Sequence, residues 1–401
     1  MPLPILMFED DQARHLAPLT LTRPVFDLRL GLTTIGEKWA WALGAGEVCG
    51  PLRPHLEGVF PGVPEERRGA SALWINARYL PTPSLVEALR HRGGERLGDG
   101  DILVAATSSA AETAAWLAAG RPAVAPTTPC GVEDFAAIAY PWDLVRLNPQ
   151  AIALDAEACG WKPGPAAGVH ASVVIDRPDR VFMHPAAVVE PGAILIAAEG
   201  PILLDADARV MAGAVVRGPV AVGRGAMVRM GARIYGGTTI GPFCKVGGEV
   251  ATTIFHSYSN KAHDGYVGDS VLGQWINLGA GTTASNLKMT YGTVKVVDWP
   301  SGVEIDTGEQ FLGTVMGDHG KTGINTALNT GTVCGVASIV VGSGFPARWI
   351  PSFKWSQSGT LIDYRPEKAV VDMERMMARR GIALDAPYRR MMEAVFAMGR
   401  G

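Results

Sequence analysis

The 401 residues predict three successive parts: an α/β domain, a parallel β-helix built from six-residue repeats, and a helical tail. The repeat carries most of this reading. From Val210 to Val246 an aliphatic residue falls at every sixth position, as Val210, Val216, Val222, Val228, Ile234, Ile240 and Val246. Two residues earlier, from Ala214 onward, stand Ala214, Val220, Ala226, Ala232, Thr238 and Cys244. Residues two apart on a strand share a face, so each hexad turns one large and one smaller side chain inward. Three residues after each aliphatic come Gly213, Pro219, Gly225, Gly231, Gly237 and Phe243, mostly turn formers set between very short strands. Helices do not repeat at six. A single coil cannot bury its own inner face, so the coils must stack around one continuous core.

Before the repeats, apolar runs such as Ile5 to Phe8, Leu73 to Ile75 and Ile102 to Ala106 alternate with helix-like segments such as Ser109 to Ala119. This predicts an α/β domain over residues 1–160. Gly160, Trp161, Lys162, Pro163, Gly164 and Pro165 are rich in helix breakers and form a linker. The β-helix is expected over residues 169–344, with the hexad returning at Met316, Thr322, Leu328, Cys334 and Val340. Its early ladder, Val188, Ile194, Ile202 and Val210, is spaced by six, eight and eight, which calls for small loop insertions. A sandwich of short strands would show irregular turn spacing instead. The sixfold pattern resembles the hexapeptide repeats of left-handed β-helix acyltransferases. In the arm, residues 345–401, Pro366 suits a first helical position, Gly381 a stop and Asp385 a cap. Met391, Met392, Val395 and Met398 then form a stripe that packs on the β-helix or on a neighbouring subunit.

Bulk properties narrow the function. A net charge of -3 and a pI near 6.3 give no basic field of the kind that nucleic-acid binding needs. The five cysteines, Cys49, Cys130, Cys159, Cys244 and Cys334, lack metal-ligand spacing and read as buried thiols in a reducing cytoplasmic setting. A short apolar start runs directly into Glu9, Asp10 and Asp11, and no stretch reaches the roughly eighteen apolar residues of a membrane span.

Polar residues break the repeat in Asn260-Lys261-Ala262-His263-Asp264-Gly265-Tyr266-Val267-Gly268-Asp269, then in Trp275-Ile276-Asn277-Leu278-Gly279-Ala280-Gly281-Thr282 and Ser285-Asn286-Leu287-Lys288. Exceptions to a strong pattern are where function sits. These strings resemble the acetyltransferase domain of the bifunctional glucosamine-1-phosphate acetyltransferase and N-acetylglucosamine-1-phosphate uridylyltransferase family. The shared signature is Lys-Ala before a histidine, a tyrosine three residues on, Gly-Asp, then Asn-aliphatic-Gly-Ala-Gly-Thr. The resemblance implies His263 as catalytic base, Tyr266 and Asn277 as substrate contacts and Asn286 as a further sugar-phosphate contact, with acetyl-CoA as co-substrate. Histidine suits that role, because an amino sugar must lose a proton before it attacks a thioester and imidazole titrates near neutrality. Lys245, Lys261 and Lys288 are candidates for the acceptor phosphate, and backbone N–H groups near Gly279 and Ala280 for the oxyanion and cofactor. Two departures stand out: one residue fewer separates Lys261 from His263, and the expected Asn-Tyr reads Asn286-Leu287. The insertion from Tyr291 to Gln310 is expected near the acetyl-CoA cleft. Zinc held by His256, His263 and His319 is disfavoured by their spacing.

At the N-terminus, Arg14-His15-Leu16-Ala17-Pro18-Leu19-Thr20-Leu21-Thr22-Arg23-Pro24 resembles the start of sugar-nucleotide pyrophosphorylases, which implies a Rossmann-like nucleotidyltransferase domain. The glycines of that loop are absent, and Glu9, Asp10 and Asp11 take their place. Carboxylates beside a triphosphate repel it unless a divalent cation intervenes. Either Asp10 and Asp11 hold Mg²⁺, with Arg14, Arg23 and Lys38 on the nucleotide phosphates, or nucleotidyl transfer has been lost. The expected function is N-acetylation of glucosamine-1-phosphate, followed where the first domain is active by coupling to UTP to give UDP-N-acetylglucosamine. Alternatives are a nucleotidyltransferase with a scaffolding β-helix, and a non-enzymatic metabolite-binding assembly. Symmetric association is expected on general grounds, and the resemblance to β-helix acyltransferases, whose flat sides pack together, implies a homotrimer.

Overall fold

The structure is a computed structural model and describes residues 3–92, 95–132 and 135–399. The first domain holds a five-stranded sheet in the order Ile5–Phe8, Ala72–Asn76, Ile102–Ser108, Leu97–Asp99, Thr128–Pro129. Ile5–Phe8 is buried along its whole length, as a strand covered on both faces must be. Ile5 and Met7 face one core, while Leu6 and Phe8 face another. The sheet is mixed, since Ile102–Ser108 runs antiparallel to both neighbours. Helices Ile35–Leu43 and Ala110–Ala119 each start on a reciprocal cap, Thr34 with Glu37 and Ser109 with Glu112.

Residues 174–357 form the parallel β-helix, whose longest side stacks nine strands. Val210 lies beside Val228 and Val228 beside Val246, three hexads per coil. Val210, Val216, Val222, Val228, Ala214, Ala226 and Ala232 are fully buried, which gives the alternation of large and small inward residues. The early register differs from the sequence reading. Val189, Leu195 and Leu204 face inward, not Val188 and Ile194, and they pair with Val210, Val216 and Val222. A one-residue slip exchanges the faces of a strand, and runs of adjacent apolar residues hid it. Parallel pairing also continues past residue 344, where Lys354–Gln357 joins Ile339–Val341.

The insertion lies elsewhere than expected. Lys295–Val297 and Glu304–Asp306 form an antiparallel hairpin that packs on the first domain. Val294 and Val296 enter that domain's core, and Asp298 Oδ1 sits 2.7 Å from His15 Nδ1. In the arm, helices Pro366–Ala378 and Ala386–Met398 bury Met373, Met391 and Met392 against Val336, Ile339 and Phe353 of the β-helix. Met398 is exposed. Among the described residues no helix is long and apolar enough to cross a membrane.

The helix Pro141–Ala158 binds the two domains together. Asn148 Oδ1 accepts from Gly31 N and Thr239 Oγ1, while Asn148 Nδ2 donates to the Gly237 carbonyl. One buried amide thus joins both domains. Two turns further, Asp155 accepts from Leu32 N and takes Lys38 Nζ at 2.6 Å on both oxygens. Lys38 is therefore a core residue and does not reach a nucleotide. Removing one partner of a buried pair strands the other charge, so Asp155→Ala is expected to lose about 3–5 kcal/mol in urea unfolding. Lys38→Met with Asp155→Ala should lose less; equal losses would show that the stranded ammonium is not the cause.

Candidate active site

Lys245, Asn260, Asn277 and Lys321 occupy matching positions on four successive coils and face outward in one column. The end of helix Pro366–Ala378 lies over this column. Arg380 fixes it there, donating to Asn260 Oδ1 at 2.9 Å and to the Phe243 carbonyl at 3.3 Å. Between helix and coils lies a cleft of about 670 Å³, with His263 at its rim and Gly279, Ala280 and Ile324 beside it. Tyr258 and Trp275, on its inner wall, belong to a corner ladder. Phe243, Tyr258, Trp275 and His319 all have φ between 55° and 60°, and their rings stack at centroid distances of 4.9, 4.4 and 6.2 Å. Left-handed backbone at bulky residues persists only where surrounding packing enforces it, and the stacked rings supply that packing.

His263 is exposed, and its ring has no hydrogen-bond partner among the described residues. It stands on a turn, so the residue that interrupts the inner hydrocarbon ladder is Lys261, paired with Val246 and 1% exposed. Lys261 Nζ donates to the carbonyls of Gly247 and of His263 itself. Burial pushes its pKa down to about 8 against the opposing pull of Asp264. Lys261 thus holds the turn that carries His263 and does not face an acceptor phosphate. Gly279 N–H is already bonded to Thr322, whereas Ala280 N–H has no partner among the described residues and remains available to an oxyanion.

The structure does not bring the remaining candidates to this cleft. Asn286 Nδ2 donates to Tyr266 Oη at 3.0 Å and to Asp269 at 2.5 Å, around the corner from the column. Burial, with Asp269 and Glu249 adding to it, raises the Tyr266 pKa to about 12. Lys288 turns back onto the Thr293 carbonyl within its own loop. Arg14 is exposed. Arg23, 2% exposed, donates to Asp318 and Asp27 and lies 2.7 Å from His256 Nε2, so it serves the junction between domains. His256 is held neutral by burial and by Arg23, and His319 bonds Tyr388 Oη; neither joins His263 in a metal site.

After the first strand, each carboxylate of the loop has its own arginine: Glu9 with Arg53, Asp10 with Arg78 and Asp11 with Arg121. Burial alone would raise the Asp10 pKa, but the donors of Arg78 and Asn76 outweigh it and hold the group below its usual value. Among the described residues no group of three His, Cys, Asp or Glu is arranged to hold a metal. Asp10 and Asp11 therefore do not fit the Mg²⁺ site expected of them, because both oxygens of Asp10 are taken by protein donors.

Residues 5–161 match the family described as sugar nucleotidyl transferase. The first domain is thus similar to that family over 157 residues, less than half of the chain. The bifunctional sugar-1-phosphate nucleotidylyltransferase/acetyltransferase of Sulfurisphaera tokodaii is 38% identical over 87 residues, 22% of this chain and 21% of that one. Bifunctional protein GlmU of Picosynechococcus is 31% identical over 123 residues, 30% and 22% of the two chains. GlmU of Methanocaldococcus jannaschii is 36% identical over 87 residues, 22% and 21%. The chain spans about a fifth of the length of these relatives. Among solved structures, LpxA of Acinetobacter baumannii aligns at 12% identity and a TM-score of 0.27, over 54% of this chain and 78% of that one, too low a score to build on.

Arg375, Arg379 and Arg380 line the cleft with Lys321, and these three arginines escaped the sequence reading as site residues. The only signal was the adjacent Arg379-Arg380 pair at a helix end, where cations are common anyway. The inward lysine has a measurable signature. Its folded-state pKa lies below the ordinary value of 10.5, so between about pH 8 and 10.5 the unfolded chain binds more protons and stability rises with pH. Lys261→Met is expected to flatten that rise relative to the parent protein, read as urea midpoints at several pH values across the window. Parallel curves for the two proteins would place the ammonium in water.

Proposed function

We propose that the protein acetylates the amine of an amino-sugar phosphate, glucosamine-1-phosphate, using acetyl-CoA, with His263 as general base. The observation that carries this is an unpartnered, exposed imidazole at the rim of a cation-lined cleft, beside an unpaired Ala280 N–H. In the proposed step the sugar ammonium first loses a proton to solvent water, giving the free amine. The amine nitrogen then attacks the thioester carbonyl carbon as His263 takes up its second proton. Ala280 N–H faces the oxyanion of the tetrahedral intermediate. That intermediate collapses with cleavage of the C–S bond, and the proton carried by His263 passes to the departing thiolate. Products are the N-acetyl sugar phosphate and free coenzyme A. Asn277, exposed on the column next to Ala280, supplies a hydrogen bond to the acceptor.

Tyr266 and Asn286 sit around the corner from His263, a separation that favours a homotrimer in which one chain's Tyr266–Asn286 pair completes the cleft of the next. A cytoplasmic location follows from the substrates proposed. The first domain's similarity to sugar nucleotidyl transferases supports a second activity, attack of the sugar-1-phosphate oxygen on the α-phosphorus of UTP with release of pyrophosphate. The neutralised carboxylates of its loop weigh against it, since arginines bonded to Glu9, Asp10 and Asp11 are not free to meet a triphosphate.

Two readouts separate the activities: free thiol on mixing glucosamine-1-phosphate with acetyl-CoA, and pyrophosphate on adding UTP with Mg²⁺ to the pre-acetylated sugar. His263→Ala is expected to lower the rate of thiol release by about 10²–10⁴-fold, the usual worth of a placed general base, and to leave pyrophosphate release untouched. Thiol release that survives the substitution would remove His263 from the chemistry. Pyrophosphate without thiol would leave the β-helix as a scaffold.

A further inference from the structure

Five cations line the His263 cleft: Lys245 and Lys321 from the β-helix, and Arg375, Arg379 and Arg380 from the end of helix Pro366–Ala378 and the residues after it. No carboxylate lines it. Among the described residues only Arg375 has an ion-pair partner, Asp372 at 3.2 Å. Arg380 and Lys321 bond only neutral acceptors, Asn260 and the carbonyls of Phe243 and His319. Elsewhere on the β-helix surface Arg177, Arg209, Arg217 and Arg233 are matched with Asp179, Glu190, Glu199 and Glu249, and the arginines that bond only neutral groups, such as Arg180 and Arg229, are not gathered in a cluster of five.

Such a cluster opposes its own formation. Like charges repel, and more strongly at the effective dielectric of a protein surface than in water. Lys245 registers the repulsion: its pKa is lowered first by Arg380, then by burial and by Arg229 and Arg379. The dipole of helix Pro366–Ala378 attracts cations to its C-terminal end, which accounts for arginines on the helix but not for two lysines beneath them on another element. An anion held between helix and coils accounts for both.

We propose that Arg375, Arg379 and Arg380, with Lys245 and Lys321, form a phosphate-binding subsite of the cleft, and that the arm helix is its clamp. The guanidinium forks match phosphate oxygens in a bidentate geometry, and the lysines below act as point charges. Identifying the phosphate as that of the coenzyme or of the sugar rests on the acetyl-transfer reading; the presence of the subsite does not.

The test uses the full-length protein and two probes in separate calorimetric titrations, 3′,5′-adenosine diphosphate for the coenzyme and glucosamine-1-phosphate for the acceptor. Arg375 and Arg379 are exposed, so Arg375→Ala/Arg379→Ala leaves the fold intact. The double variant is expected to bind one probe at least tenfold more weakly, with a shallower dependence on salt, and Arg375→Lys/Arg379→Lys to recover most of the loss. The probe affected names the source of the phosphate. In turnover, KM for the matching substrate should rise about tenfold while kcat stays within about twofold. Equal affinities in parent and variant for both probes, or no binding of either by the parent at millimolar concentration, would overturn the proposal. Probe binding without any thiol release would instead overturn the acetyl-transfer reading and leave the subsite standing.

Discussion

A coil of three short strands has no inside of its own, and every inward side chain of this β-helix is buried only by the coils above and below. That constraint makes Val210, Val228 and Val246 a single continuous ladder and makes any polar rung expensive unless its neighbours satisfy it. Lys261 meets the condition by capturing two carbonyls, one in the preceding coil at Gly247 and one on the turn that follows at His263. A charge inside the stack thereby fixes the geometry of a residue outside it. His263 has no partner of its own, so its placement depends on the backbone of that turn.

The two domains are joined by the same economy of buried polar groups. Asp318, on the β-helix, accepts from Thr22 and Arg23 of the first domain and from Gln274 N of its own coils. Asn148 and Asp155 do the equivalent at the other end of the junction. Removing one partner while the junction stays closed would leave the other buried and unsatisfied, at about 1–3 kcal/mol apiece. Arg23 illustrates the consequence. A basic residue in a string resembling a nucleotide-binding start is engaged by two carboxylates at the interface, which removes it from open solvent and from any phosphate.

The hexads from Val210 to Val246 were legible because their large and small inward residues contrast with glycine turns. Legibility failed where that contrast fails. Val188 and Val189 are both apolar and adjacent, and the strand alone does not say which one points in. It failed again at Lys261, because the coil from Val246 to Lys261 is three residues shorter than the one before it and the count of six no longer marks the inner position. The polar strings around His263 and Asn277 were visible as breaks in a pattern, but which of their members share a cleft depends on which corner of the coil each occupies. Ion pairs hid more. Lys38 with Asp155 and Asp10 with Arg78 look like free site residues until the fold supplies partners far away in sequence.

The position of the cleft follows from where the repeat loses its regularity. On an unbroken stretch of hexads, outward residues on one side form a flat sheet with no concavity. Near Lys245 the coils shorten, bulky left-handed corner residues replace glycine, and the stacked rings of Phe243, Tyr258 and Trp275 raise a ridge along one edge. The arm helix then lies against that ridge, held by Arg380 on Asn260, and a flat side becomes a groove with cations on both walls. Substituting glycine at those corners would relieve the backbone and remove the ridge together. The strained aromatic corners therefore shape one wall of the groove, and the arm that forms the other is held by Arg380 and by the methionines it buries against Val336, Ile339 and Phe353.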